Sequence, residues 1–323
     1  NNRVIAVGGC IGQRDGDKLV DALPHLNIVF GTNNLSSLPA LVTSAIEDGK
    51  HHVEILESTD EFSCDLPTDR ENSWAAWLPI TIGCNNFCTY CIVPYVRGRE
   101  KSRAVEDIRL EARGYVDTGV KEITLLGQNV NSYGRDLYGE PKFAEVLDAV
   151  ASTGIQRLRF ATSHPKDLTD EVIAKFGSLE CLMPALHLPA QSGSNRILEA
   201  MNRNYTVEHY LELIEKLRKV NPEIALSTDI IVGFPGETEE DFQATYDLIE
   251  KVGYHQVFTF IYSKREGTPA ASMVDTTPKE VIQERFDRLV DLVQKQAYEA
   301  NQIEKGRVVP VLVEGFSKRD PSL

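Results

Sequence analysis

The sequence has no long apolar run, few tryptophans and methionines, and fewer basic than acidic residues. No stretch of about 18 apolar residues and no signal-peptide pattern is visible, so we expect a cytosolic protein without membrane association. Lys and Arg number 34 against 48 Asp and Glu, and the formal net charge is −14. Such a chain repels a phosphate backbone on average, so nucleic-acid binding would require a local basic patch.

Cysteine is also scarce, with 6 residues in a chain of 323. A chain of this length can bury a large core, so a disulfide scaffold is not needed. In a reducing compartment, closely spaced thiols more often bind metal than form disulfides. Cysteines that lie close together in this sequence are therefore candidate metal ligands.

Short strands and helices alternate along most of the chain. The pattern of residues 1–57 predicts a small α/β unit, with strands at 4–8, 27–30 and 53–56 and helices at 16–23 and 38–48. The polar residues 58–73 predict a linker. Further strands are predicted at 77–82, 122–126, 157–162, 184–189, 225–232 and 257–262. The helices between and after them are predicted at 105–117, 144–151, 170–176, 207–219, 239–251 and 278–302, with Thr206, Thr238 and Thr277 as N-caps. Six consecutive strand–helix units favour a parallel sheet closed into an open or partial (β/α) barrel, with its chemistry at the C-terminal strand ends.

Three cysteines follow the first predicted barrel strand. Cys84, Cys88 and Cys91 have the spacing C-x3-C-x2-C, which lets three thiolates bind one face of a small iron–sulfur cluster. With three ligands, one iron of a four-iron cluster stays open for a cofactor. The alternative is a structural zinc site, which ordinarily needs a fourth ligand. Cys64 and Cys181 are isolated in the sequence, and we predict that neither is a ligand.

Four sequence runs carry a family resemblance. They are GCNNFCTYCIVPYVRGR at 83–99, GQNVNSYG at 127–134, HLPAQSGSN at 187–195 and DIIVGFPGE at 229–237. Together they resemble the methylthiotransferases of the radical S-adenosylmethionine superfamily, and NVNSYG resembles the branch that acts on transfer RNA. The resemblance implies an N-terminal methylthiotransferase domain and linker at 1–73. It also implies a partial (β/α)6 radical-SAM barrel at 74–306, and the start of a TRAM-like RNA-binding β-barrel at 307–323, with a strand at 308–313.

The resemblance also implies a reaction. One [4Fe–4S] cluster would cleave S-adenosylmethionine to a 5′-deoxyadenosyl radical that activates C2 of N6-isopentenyladenosine beside the anticodon. A second cluster would supply sulfur, and a second S-adenosylmethionine the methyl group. The implied partners are transfer RNA and an electron donor such as flavodoxin or ferredoxin, and the chain is expected to be a monomer. Two alternatives are methylthiolation of a ribosomal protein side chain and a non-catalytic iron–sulfur module that binds RNA.

The family binds its second cluster with three cysteines, and the resemblance implies that Cys10 corresponds to the last of them. The other two would precede residue 1. We therefore expect a chain truncated at both ends, which cleaves S-adenosylmethionine without transferring sulfur. At the cofactor, Gln128 is expected to meet the methionine end and Gln191 and Ser192 the ribose, while the 232–236 turn contacts adenine through its backbone. The residues expected at the cofactor are Tyr90, Gln128, Gln191, Ser192, Asp229, Val232 and Phe234.

A basic cluster follows the metal loop directly. Arg97, Arg99, Lys101 and Arg103 are predicted to contact RNA phosphates, and the alternative is an ordinary solvated loop. Asn129 and Asn131 are predicted to contact the substrate as well. His164 and His187 are interpreted as hydrogen-bonded histidines at strand ends and not as general bases.

Overall fold

The N-terminal unit is built on three short parallel strands. The computed structural model describes residues 3–57, 70, 72–317 and 320. The strands β1 (Ala6–Val7), β2 (Ile28–Phe30) and β3 (His52–Glu54) pair in the order β1-β2-β3. The helices of the unit are α1 (Cys10–Asp15), α2 (Asp17–Ala22) and α3 (Leu38–Asp48). Ile28, Leu41 and Ala45 form its small core.

The larger unit contains six parallel strands that follow one another around an open barrel, together with the short strands β5 and β6. Its strands are β4 (Ala75–Pro79), β5 (Thr81–Ile82), β6 (Lys101–Ser102), β7 (Glu122–Leu126), β8 (Arg157–Phe160), β9 (Ala185–His187), β10 (Ala225–Val232) and β11 (Gln256–Ile261). Parallel pairing joins β4-β7-β8 and β9-β10-β11. A bridge between Leu158 and Leu182 links the two halves. The strand order is consistent with the predicted partial (β/α)6 barrel.

The longer helices of this unit pack against the barrel core, and the shorter ones lie in its connections. They are α4 (Val93–Arg97), α5 (Val105–Asp117), α6 (Arg135–Tyr138), α7 (Phe143–Ala151), α8 (Asp170–Ser178), α9 (Asn195–Ala200), α10 (Val207–Val220), α11 (Glu239–Val252) and α12 (Lys279–Ile303). The residues of strand β10 alternate between buried and half-buried positions, which distinguishes the face of the strand toward the helices from the face toward the barrel lumen. Leu226 and Ile230 pack against the helices, whereas Ser227 and Asp229 line the lumen. None of the helices in the described ranges combines the length and apolarity that a bilayer crossing requires.

Several sequence predictions differ from the structure. The strand predicted at 77–82 is interrupted at Ile80, because β5 leaves the barrel to pair antiparallel with β6. Thr206 and Thr238 cap their helices as predicted, but Pro278 and not Thr277 is the N-cap of α12. The strand predicted at 308–313 is wrong, because residues 307–314 have no regular structure.

Candidate metal and cofactor site

The three clustered cysteines lie on the loop that joins β5 to α4. Gly83 begins this loop at φ +75, and a Cβ there would come within 2.1 Å of the Arg99 carbonyl oxygen, so only glycine fits. Thr89 pins the middle of the loop, since its backbone N–H donates to Met201 O at 3.0 Å and its Oγ1 donates to Ala200 O at 2.9 Å. The loop is therefore held against the end of α9.

The thiols of the loop are partly or fully removed from water, since Cys88 is buried and Cys84 and Cys91 are half-buried. The pKa of Cys84 is raised to about 11, mainly by burial, and the charges of Cys88 and Cys91 contribute to the rise. Burial is also the main cause of the raised pKa of Cys91, to which Cys88 adds. Buried thiolates of like charge are costly unless cationic iron compensates them. This donor set fits an iron–sulfur cluster, in which each iron takes one thiolate.

A single metal ion fits less well. Within the described residues, no three His, Cys, Asp or Glu side chains are grouped so that they could hold one ion. A structural zinc site would require such a group together with a fourth ligand. The described part of the chain therefore gives the zinc alternative no support.

Arg203 is a residue of this site that the sequence analysis missed. Its side chain is buried, with Nη1 donating to Cys88 Sγ at 3.4 Å, Nη2 to Pro189 O at 3.0 Å and Nε to Tyr205 Oη at 3.1 Å. The flanking Asn202 and Asn204 both have positive φ, 56 and 55. These two left-handed residues turn the chain so that the guanidinium points inward. A buried cation beside a thiolate ligand suits an anionic cluster or a carboxylate brought to it.

A cavity of about 430 Å³ opens beside Cys91. Three of the predicted cofactor residues, Tyr90, Gln191 and Asp229, line it together with Ile231 and other residues of the barrel mouth. Gln191 is held at φ 67 by two backbone hydrogen bonds, donating to Asp229 O at 2.8 Å and accepting from Ile231 N at 3.0 Å. The volume lies within the ~300–1,000 Å³ typical of small-molecule sites.

The other predicted cofactor residues do not line this cavity. Ser192 is buried, and its hydroxyl contacts Thr245 Oγ1 at 3.2 Å and accepts from Ser194 N at 3.2 Å. Val232 and Phe234 are buried in the core, so their side chains support the mouth from behind. Gln128 is partly buried, and its Oε1 has no hydrogen-bond partner.

The predicted basic cluster divides into two parts. Arg103 is buried, with Nη2 2.6 Å from Glu111 Oε2 and Nη1 donating to Pro79 O at 2.9 Å, so its predicted role in RNA contact is corrected to a structural one. Arg99 is exposed, and its guanidinium lies 4.4 Å from the centroid of the Phe87 ring on the metal loop. Arg97 ends α4 and is half-buried, and Lys101 lies on β6 opposite Ile82.

Asn129 and Asn131 belong to a buried polar network behind the metal loop. Asn129 Nδ2 donates to Asp167 Oδ2 at 2.7 Å, and Asn131 Oδ1 accepts from His164 N at 3.1 Å. Both side chains are almost fully buried, so the predicted direct contact with RNA is corrected to an internal role. Glu100 belongs to the same network and accepts a short hydrogen bond from Ser132 Oγ. Burial raises the pKa of Glu100 to about 7.

Cys10 and Cys181 lie outside the metal loop. Cys10 begins α1, which packs against α4, the helix that directly follows the metal loop. Thr32 strengthens this contact by donating to Val96 O at 2.6 Å. Cys181 precedes the bridge at Leu182 and is half-buried, and Cys64 lies outside the described residues.

The barrel lumen forms a second cavity, of about 650 Å³. Arg159, His187 and Asp229 contribute polar side chains to its lining, and Trp77 contributes an apolar surface. His187 is held by Ser227 Oγ at 3.0 Å and lies 3.4 Å from Asp229 Oδ2. Asp229 lines both cavities, so the cofactor cavity and the lumen meet at this residue. His164 is buried, and burial is the main cause of its lowered pKa.

Sequence comparison extends these observations. Residues 78–249 match the Radical SAM superfamily. A protein of Carboxydothermus hydrogenoformans named tRNA-2-methylthio-N(6)-dimethylallyladenosine synthase is 52% identical over 320 residues, which are 98% of this chain and 73% of that protein. A protein of the same name from Clostridium tetani is 49% identical over 322 residues, covering 99% of this chain and 71% of its own length.

Solved structures support the fold. The radical S-adenosylmethionine methyltransferase TsrM of Kitasatospora setae, with tryptophan and a SAM analogue bound, aligns with a TM-score of 0.61 at 15% identity. That alignment covers 83% of this chain and 57% of TsrM. The cobalamin-dependent radical enzyme OxsB aligns with a TM-score of 0.57 at 14% identity, over 90% of this chain and 43% of OxsB. At these identities the likeness concerns the fold alone.

Proposed function

This chain belongs to the tRNA-2-methylthio-N(6)-dimethylallyladenosine synthases of the radical SAM superfamily, and we propose that it methylthiolates C2 of an N6-dimethylallylated adenosine beside the anticodon of transfer RNA. The observation that carries the proposal is a loop of three closely spaced thiols, one buried and two half-buried, with a buried guanidinium at Cys88 and a 430 Å³ cavity at Cys91. When bound, [4Fe–4S] clusters and S-adenosylmethionine supply the 5′-deoxyadenosyl radical, the sulfur and the methyl group.

The side chains around the thiols have distinct tasks. Cys84, Cys88 and Cys91 would each bind one iron of a [4Fe–4S] cluster, and three protein ligands would leave one iron without a protein ligand. Arg203 balances negative charge beside Cys88, from which its Nη1 lies 3.4 Å away. Because water is largely excluded from this space, its electrostatic interactions are stronger than at the surface.

The walls of the cavity orient the cofactor. Gln191 and Asp229 present polar groups at its inner wall, suited to ribose hydroxyls, and Tyr90 adds an aromatic surface next to Cys91. His187 lies 3.4 Å from the Asp229 carboxylate and helps to fix its orientation. Gln128 lies outside the lining of this cavity, and we assign its buried, unpartnered Oε1 to the methionine end, where it would accept from the ammonium group.

The RNA approaches from the side of the metal loop. Arg97 and Arg99 contact phosphates there, since they follow the loop and Arg99 packs on Phe87. We assign auxiliary-cluster binding through Cys10 to residues 1–73, the radical reaction to 74–306 and the start of an RNA-binding domain to 307–323. The enzyme acts as a monomer in the cytoplasm, where its transfer RNA is found, and takes electrons from a flavodoxin- or ferredoxin-like donor.

The test is an anaerobic assay with the cluster-loaded chain, dithionite, S-adenosylmethionine and an anticodon stem-loop RNA that carries dimethylallyladenosine. We expect cluster-dependent formation of 5′-deoxyadenosine, and mass spectrometry of the RNA nucleosides in the presence of a sulfide source identifies any methylthio product. A stem-loop with unmodified adenosine is the matched control and should yield no methylthio product. Absence of 5′-deoxyadenosine from fully loaded protein would contradict the proposal, as would methylthiolation of a ribosomal protein in place of the RNA.

A further inference from the structure

Both tryptophans of the chain, Trp74 and Trp77, line the barrel lumen. Trp77 lies within β4, yet 65% of its surface is exposed. A large aromatic side chain that faces water inside a cavity gains free energy when an apolar group covers it. The lumen therefore holds an apolar surface that the fold itself leaves uncovered.

The remaining lining of the lumen is mostly polar or already buried. Arg159 and His187 present charged or polar groups to the cavity. Phe160 and Leu186 also border it, but they are only 8% and 2% exposed because their side chains pack in the core. Among the described lining residues, Trp77 thus offers the largest exposed apolar surface.

The register of the strands places Trp77 below the barrel mouth. Trp77 pairs with Thr124 on β7, and Thr124 pairs with Arg159 on β8, so these residues share one level. Pro79 ends β4 above Trp77, at the side where the metal loop follows. A ligand that enters from the mouth reaches the level of Trp77 with its leading end.

The chemistry of the substrate selects that leading end. An adenosine that leaves its stack enters base first, because its ribose and phosphates stay joined to the RNA outside. The N6 substituent lies on the part of the purine remote from the ribose, so it points deepest into the lumen. Given the proposed function, which this step assumes, we propose that Trp77 recognises the N6-dimethylallyl group and thereby determines specificity for the alkylated nucleoside.

The experiment compares two anticodon stem-loops that differ only in the dimethylallyl group. Dissociation constants are measured by fluorescence anisotropy of labelled RNA for the cluster-loaded wild type, Trp77→Ala, Trp77→Phe and Tyr298→Ala. Tyr298 is the matched control, because it is an aromatic residue with the same 65% exposure on the outer helix α12. Iron content and circular dichroism establish that each variant is folded and loaded.

We expect the wild type to bind the alkylated stem-loop more tightly than the unmodified one. Trp77→Ala should reduce this preference by about tenfold or more, mainly by weakening binding of the alkylated RNA, because an apolar pocket contributes roughly 10–200-fold for even a single methylene. Trp77→Phe should keep part of the preference, and Tyr298→Ala all of it. If Trp77→Ala does not fold, the phenylalanine variant carries the comparison.

Two results would overturn the inference while leaving the proposed function intact. One is an unchanged preference in Trp77→Ala and Trp77→Phe. The other is equal weakening of both stem-loops, which would mean that Trp77 contacts the adenine ring or the RNA backbone. Failure of the proposed function would look different, because the wild type itself would then not distinguish the two RNAs and the loaded protein would form no 5′-deoxyadenosine.

Discussion

Glu100 allows a quantitative test, because its burial has a pH-dependent cost. Its side chain is buried, its pKa is raised from 4.5 to about 7 mainly by burial, and the negative charges of Asp136 and Asp167 add to the rise. Ser132 has one hydroxyl proton, yet its Oγ lies within hydrogen-bonding distance of both Glu100 and the Asn129 carbonyl. Ser132 can donate to only one of them at a time, so its hydrogen bond offsets only part of the cost of ionising Glu100.

The sign of the effect follows from proton linkage. Between pH 4.5 and about 7 the folded chain binds more protons at Glu100 than the unfolded chain does, so stability falls as the pH rises. At pH 8 and above, the cost of ionising this buried carboxyl reaches about 3 kcal/mol. Glu100→Gln keeps a donor and an acceptor but cannot ionise, so it removes the cost.

The measurement is the free energy of unfolding in urea at several pH values from 5 to 9, with equal iron content in both proteins. At pH 5 we expect Glu100→Gln to be close to the wild type in stability, and at pH 8 to be more stable by up to about 3 kcal/mol. Glu106→Gln is the control, because Glu106 is exposed. A difference between Glu100→Gln and wild type that does not vary with pH would refute the reasoning.

Three further predictions concern the site. Gly83→Ala should reduce iron loading severely, because its Cβ would lie 2.1 Å from Arg99 O. Gly98→Ala is the control and should reduce iron loading less, because no atom lies within 4 Å of its Cβ. Equal iron loading in the two variants would contradict this prediction. Arg203→Met should lower the reduction potential of the bound cluster, measured by EPR titration, because a positive charge beside Cys88 is lost. Arg203→Lys keeps the charge and should lower the potential less. An unchanged potential in Arg203→Met would show that Arg203 does not balance the charge of the cluster. Replacing Arg97 and Arg99 with Ala should weaken RNA binding and make the plot of log affinity against log salt less steep, by about 0.9 for each phosphate that is no longer neutralised. Arg109→Ala on α5 is the control and should change neither the affinity nor this slope.

The sequence predicted the barrel well where a single element had a clear period and clear ends. Strands at 122–126 and 225–232 and the helix at 105–117 occur with the predicted bounds. These elements have continuous patterns that one helix or one strand can satisfy. The strand predicted at 77–82 begins at Ala75 and ends at Pro79. Its interruption at Ile80 depends on the pairing of β5 with β6, which are separated by the metal loop.

The site was predictable only in part, for a related reason. The cysteines are recognisable by their spacing, and Gln191 reaches the cavity because it follows a parallel strand at the end where the strands meet. Asp229 lies within β10 and reaches the cavity from there. Arg203 carries no such signal, since its position depends on two left-handed asparagines that turn it toward Cys88. Arg103 looked like a member of a basic surface cluster, but its partner Glu111 on α5 takes it inside.

The central claim is that Cys84, Cys88 and Cys91 hold a cluster that cleaves S-adenosylmethionine. The most direct measurement is iron content together with 5′-deoxyadenosine formation under dithionite, for alanine variants of each cysteine and for Cys181→Ala as the control. We predict that each of the three variants loses the site-bound cluster and the cleavage activity, and that Cys181→Ala retains both. Full iron and full cleavage in any one of the three variants would contradict the claim.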